Sequence, residues 1–131
     1  MRAATTSKPS ENLQHRWAEA ELAARHALSM QPDSRDSQYL LGGTLVNEGR
    51  NLEEAVELLY RVKDKYARAH LFLAQVAIEQ GRTQQAAYEL RQYLDCPSAQ
   101  ERGVARSLLT ELQNQEAQKV REPSPSGGAQ L

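Results

Sequence analysis

The chain repeats itself, and that constrains its fold more than any other feature. NEGRNLEEAVELL around Gly49 and EQGRTQQAAYEL around Gly81 share an order of parts: an acidic residue shortly ahead of Gly-Arg, a residue able to open a helix (Asn51, Thr83), then a small residue at the start of an apolar stripe (Ala55, Ala86). The two glycines lie 32 residues apart. Upstream, HRWAEAELAARHALSMQP repeats the second half of this unit, with Ala20 standing 35 residues before Ala55. A repeat of 31–35 residues has room for two helices and a turn. One such unit cannot bury its own apolar face, so successive units must stack into a solenoid.

Apolar residues between the turns recur at helical spacing, with no alternation of period two. One stripe holds Leu13, Trp17, Ala20, Ala24, Ala27 and Leu28, capped by Ser10 and ended by Pro32. A second holds Tyr39, Leu41, Leu45 and Val46 and stops at Gly49; a third runs from Leu52 to Val62. The fourth carries Ala69, Phe72, Leu73, Val76 and Ala77 as far as Gly81, and the fifth Ala86, Ala87, Leu90, Tyr93 and Leu94. The last holds Val104, Leu108, Leu109 and Leu112. Asn51 with Glu54, and Ser98 with Glu101, have capping-box spacing. Six helices are therefore expected over residues 10–119, with loose polar ends at 1–9 and in the Pro/Ser/Gly-rich stretch 120–131.

Composition narrows the function. Of 131 residues, 16 are Lys or Arg and 17 Asp or Glu, for a net charge of −1. Near-neutrality removes the general attraction to phosphate backbones that a nucleic-acid-binding domain needs. No apolar run approaches the ~20 residues of a membrane span. The N-terminus has no apolar core of a secretory signal. Cys96 stands alone, so no disulfide forms within the chain, and a cytoplasmic location is expected.

The repeat resembles the tetratricopeptide family. Leu41, Gly42, Leu45, Gly49, Ala55 and Leu59 fill the signature places in one copy, and Leu73, Ala74, Ala77, Gly81, Ala86 and Leu90 in the next. A partial first copy matches through Trp17, Ala20, Ala24, Ala27, Leu28 and Pro32. Small residues at these places let helix backbones approach closely while Leu fills the gaps. The resemblance implies an all-α, right-handed solenoid of antiparallel helix pairs, about two and a half repeats long: a partial repeat at 10–34, repeats at 35–66 and 67–97, and a capping helix at 98–118. The middle copy departs from the pattern by one extra residue between Gly49 and Ala55 and by the lack of a terminating Pro.

Catalytic and metal chemistry find little in the sequence. His15 and His26 project from nearly the same side of one helix but lie about 16.5 Å apart along it, too far to share an ion. His70 reads as a turn or surface residue. There is no nucleophile–base spacing, no phosphate-binding glycine loop and no cluster of metal-ligand spacing. No cofactor is expected.

By the resemblance, the first helix of each unit lines a concave groove for a peptide or partner helix. The corresponding places are Tyr39, Gly43, Val46 and Asn47, then Arg68, Leu71, Phe72, Gln75 and Glu79, and on the capping helix Arg102, Ala105, Arg106 and Leu109. Arg68, Arg102 and Arg106 would form one basic wall for an acidic group. Arg102 and Arg106 also resemble the basic pair with which some family members hold the C-terminal EEVD of chaperones. Tyr39, Gly43 and Phe72 stand where that clamp has a Lys and two Asn. A second expected surface is the uncovered side of the first helix, through Leu13, Trp17 and Leu22, which would join a second copy, another protein or earlier repeats of a longer array. The chain is thus expected to be a non-catalytic protein-interaction module, the alternatives being an RNA-binding helical repeat, or the C-terminal part of a longer repeat array or assembly subunit.

Overall fold

The computed structural model describes the backbone of residues 9–121 and the side chains of residues 13–119. The expected loose ends lie outside the described residues, apart from the few positions that the terminal helices take up. The chain forms α1 (Pro9–Met30), α2 (Arg35–Glu48), α3 (Leu52–Val62), α4 (Arg68–Glu79), α5 (Thr83–Asp95) and α6 (Arg102–Arg121), with no strand among the described residues. Each helix packs on the next in sequence, and α2 also touches α4, the first helix of the following unit. Contact between equivalent helices of successive units makes this a solenoid rather than a row of hairpins.

Small residues of the two full copies do the packing work expected of them, whereas in the first copy Ala24 is buried but Ala20 and Ala27 are only half-buried. Ala55 and Ala86 have no exposed surface and Ala74 almost none. A Cβ added at Gly42 would lie 2.9 Å from Leu59 Cγ and 3.4 Å from the Ala55 carbonyl oxygen, so α2 and α3 approach over a bare Cα. Gly49 (φ +73°) and Gly81 (φ +76°) both adopt the left-handed conformation that ends a helix and that residues with a Cβ disfavour.

Helix starts differ from the sequence reading in several places. α1 already begins at Pro9, so Ser10 lies inside it rather than ahead of it, and Thr83 is the first residue of α5, with Arg82 in the cap position and no side-chain cap. Asn51 is left-handed (φ 52°), not in the extended conformation of an N-cap, and makes no side-chain cap; Glu54, its expected partner, pairs instead with Arg25 on α1. Ser34, which no motif singled out, does cap α2, accepting from Ser37 N at 3.2 Å. At the last helix, the Ser98–Glu101 box gives way to Tyr93. Its buried hydroxyl accepts from the backbone N–H of Gln100 (3.0 Å) and Glu101 (2.9 Å), and α6 begins at Arg102.

The core has two parts that meet in α4. Leu41, Leu45, Leu59 and Val62 pack with Ala69, Leu73 and Val76 of α4, whereas Ala74 and Ala77 of α4 pack with Ala86, Leu90, Tyr93, Ala105 and Leu112.

Candidate functional site

The gaps between successive first helices differ. Between α2 and α4 the gap is closed by aromatic rings. The edge of the Phe72 ring rests on Gly43, where a Cβ would sit 3.0 Å from Cε2. Tyr39 stacks face to face on Tyr66, with centroids 4.2 Å apart and planes 5° from parallel, and it meets Phe72 at a tilt of 59°. Burial raises the Tyr39 phenol above its ordinary pKa of 10.0, against the opposing pull of Arg68.

Between α4 and α6 the gap stays open. A cavity of about 280 Å³ is lined from α4 by Arg68, Leu71, Phe72 and Gln75 together with Ile78, and from α6 by Val104 and Leu108. Ile78 and Val104 are exposed, Val104 to 59%. Four of the expected groove residues therefore converge on one hollow. Ile78, Val104 and Leu108 were absent from that expectation, because the twist that brings α6 beside α4 is not written in either helix alone.

The other expected groove residues are dispersed. Val46 is buried in the core, while Asn47 and Glu79 are exposed near the ends of α2 and α4. Of the capping-helix places, Ala105 is fully buried and Leu109 packs against the core. The three arginines do not share a wall. Arg68 pairs with Glu101 and lies 5.9 Å from the Phe72 ring centroid. Arg102 donates to the carbonyl oxygens of Leu94 (2.6 Å) and Cys96 (2.8 Å), satisfying acceptors at the end of α5. Arg106 lies with Ser107, Thr110 and Asn114 on another face of α6.

On α1, Leu13 and Leu22 are nine residues apart, which at 3.6 residues per turn places them on opposite sides. Leu13 and Leu22 are exposed, and Trp17 is partly buried. The three do not form one surface.

Two polar clusters lay outside the sequence reading. Glu89 is fully buried, with His70 Nδ1 2.9 Å from Oε1; the Tyr60 hydroxyl (3.1 Å) and Gln85 Nε2 (3.0 Å) both donate to Oε2. Burial pushes the Glu89 carboxyl up, but the hydrogen bonds from His70 and Tyr60 outweigh it and hold the group below 4.5. His70 is likewise buried rather than a surface or turn residue. Its partner is 19 residues away on another helix, so no local motif announces it.

The second cluster joins α1 to α2 and α3. Arg25 donates to Glu21 (2.8 Å) and, through both terminal nitrogens, to Glu54 (2.9 Å each), while Arg50 pairs with Glu21 and Glu48. The hydrogen bond from Arg25, with help from Arg50 and against burial, lowers Glu21 to about 2. Among the described residues no group of three His, Cys, Asp or Glu is placed to hold a metal ion, and no helix is long and apolar enough to cross a membrane.

A family model described as anaphase-promoting complex, cyclosome, subunit 3 matches residues 13–117, a span that draws on all six helices. No curated protein and no solved structure shows a significant match.

Proposed function

Because the chain belongs to the family of anaphase-promoting complex, cyclosome, subunit 3, a tetratricopeptide-type repeat family, we propose that it is a protein-interaction module whose binding site is the hollow between α4 and α6. The observation that carries this reading is the open gap itself. α2 and α4 close on each other through Phe72 and Gly43, whereas the next gap leaves Ile78 and Val104 exposed around a cavity. Apolar side chains held in a concavity on rigid helices suit a peptide or partner helix, whose own side chain would displace water from the cavity. The family's description names a subunit of a complex, which favours a protein partner over a small molecule.

The test places a photo-reactive amino acid at Val104 in one sample and at Glu57, exposed on α3, in another. Capture of a specific protein from native lysate at Val104 but not at Glu57 is the expected result, and Val104→Asp should abolish co-purification of that protein. Equal labelling at both positions would remove the hollow as the site. Loss of capture after nuclease treatment would favour the RNA-binding alternative.

A further inference from the structure

The hollow between α4 and α6 has a neighbour. A second cavity of about 220 Å³ lies at the loop end of the same helices, walled by the Tyr39 and Tyr66 rings, by Lys65 and Arg68, and by Ser98 and Gln100. Arg68 lines both cavities, so they adjoin at that residue. Their linings differ in kind. The first is apolar apart from Arg68 and Gln75; the second is polar and aromatic, with two cations. Among the described residues no carboxylate lines either one.

We propose that this divided groove takes an extended peptide in which a bulky apolar residue stands within two positions of an Asp or Glu, and that the Arg68–Glu101 pair is the resident contact that the ligand's carboxylate replaces. The inference rests on the reading that the hollow is a binding site. Charge complementarity names the acidic residue: Arg68 at the junction and Lys65 in the second cavity have no acid among the described residues of the walls. Each is met by a single carboxylate from outside them, Asp36 for Lys65 and Glu101 for Arg68.

Glu101 suits the part of a displaceable occupant. Arg68 and Glu101 are both about half exposed, and an ion pair so wet contributes little, so a ligand carboxylate can take its place without large loss. Arg68 is suited to receive it, because its planar guanidinium offers several fixed donors and only one is used by Glu101. The Phe72 ring beneath the guanidinium limits its swing and also walls the apolar cavity, so the two subsites keep a fixed relation. The Tyr39–Tyr66 stack stiffens the far wall.

The experiment selects a displayed library of short random peptides on the full-length protein, then titrates the best peptide calorimetrically against variants checked by circular dichroism. The expected selection pairs Leu, Ile, Met or Phe with a nearby Asp or Glu. Arg68→Ala should weaken the peptide roughly tenfold or more, as loss of a charged hydrogen bond does, with Arg68→Lys intermediate. Glu101→Gln should tighten it by about threefold by freeing Arg68, and that gain should vanish in the Arg68→Ala background. Arg106→Ala should have no effect. Peptides enriched in apolar residues alone, sensitive to Val104→Asp but not to Arg68→Ala, would overturn this inference and leave the groove standing. Binding insensitive to both changes, or no selected peptide at all, would overturn both. A Glu101→Gln variant that binds unchanged or more weakly would remove Glu101 as the competitor.

Discussion

A carboxylate with no exposed surface must be fully partnered or it destabilises the fold that buries it. Glu89 meets that demand with three partners from three helices: His70 on α4, Tyr60 on α3 and Gln85 on α5 itself. Truncation to Ala would leave the donors of His70, Gln85 and Tyr60 facing each other. The expected loss for Glu89→Ala is about 3–5 kcal/mol, and less for Glu89→Gln, which keeps the shape and one acceptor. Urea titration followed by circular dichroism measures both. A loss for Glu89→Ala no larger than that of an ordinary surface substitution would show that the cluster does not tie α3, α4 and α5 together. The cluster also shows where residue-level reading stops. His70 alone resembles any polar residue near a helix start, and its role exists only once α4 and α5 are antiparallel and in register.

Elements were far more legible than their junctions. Period and turn signals give the six helices because a helix's apolar face and its terminating glycine are local facts: Gly49 and Gly81 each end a helix where the backbone turns left-handed. Helix starts were less legible, because caps compete with tertiary partners. Glu54 leaves Asn51 for Arg25, and Tyr93 takes over the N–H groups that Ser98 was expected to hold. The candidate groove divides in the same way. Arg68, Leu71, Phe72 and Gln75 follow from the repeat, whereas Val104 and Leu108 depend on how the last helix leans. Two glycines make the packing argument testable. Gly42→Ala gains up to about 1 kcal/mol of helix propensity but forces a methyl against Leu59, and overpacking of this kind typically costs about 1–3 kcal/mol. The net change should be destabilising. Gly103 has no atom within 4 Å of a would-be Cβ, so Gly103→Ala in the first turn of α6 should stabilise by about 0.5 kcal/mol. Shifts of the two urea midpoints in the same direction would contradict the packing account.

At the scale of the molecule the two core clusters share α4, so α2 through α6 should unfold together; α1 is the exception. Among its described apolar residues Ala24 is the one that is fully buried, and much of its attachment runs through Glu21, Arg25, Arg50 and Glu54. The pH dependence of that attachment follows from Glu21. Its carboxyl falls from an ordinary 4.5 to about 2 in the fold, so its contribution is complete above 4.5 and fades as pH falls through 2. That contribution is present in full at neutral pH and shrinks steadily as pH falls below 4.5. Glu54, lowered chiefly by Arg25, acts in the same direction. Glu48, raised by burial and by Glu21 beside it, acts in the opposite direction and offsets part of the loss. Trp17 is the single tryptophan and sits on α1, so its fluorescence follows this helix while circular dichroism follows the whole. At pH 7 the two urea transitions should coincide, because the charge network holds α1 to the rest. Near pH 3 the fluorescence transition should come first, and Glu21→Gln should separate the two already at pH 7. Coincident transitions at acid pH, with all carboxylates titrating, would mean that Ala24, Leu28 and their apolar neighbours suffice to dock α1, and that the ions merely decorate the joint.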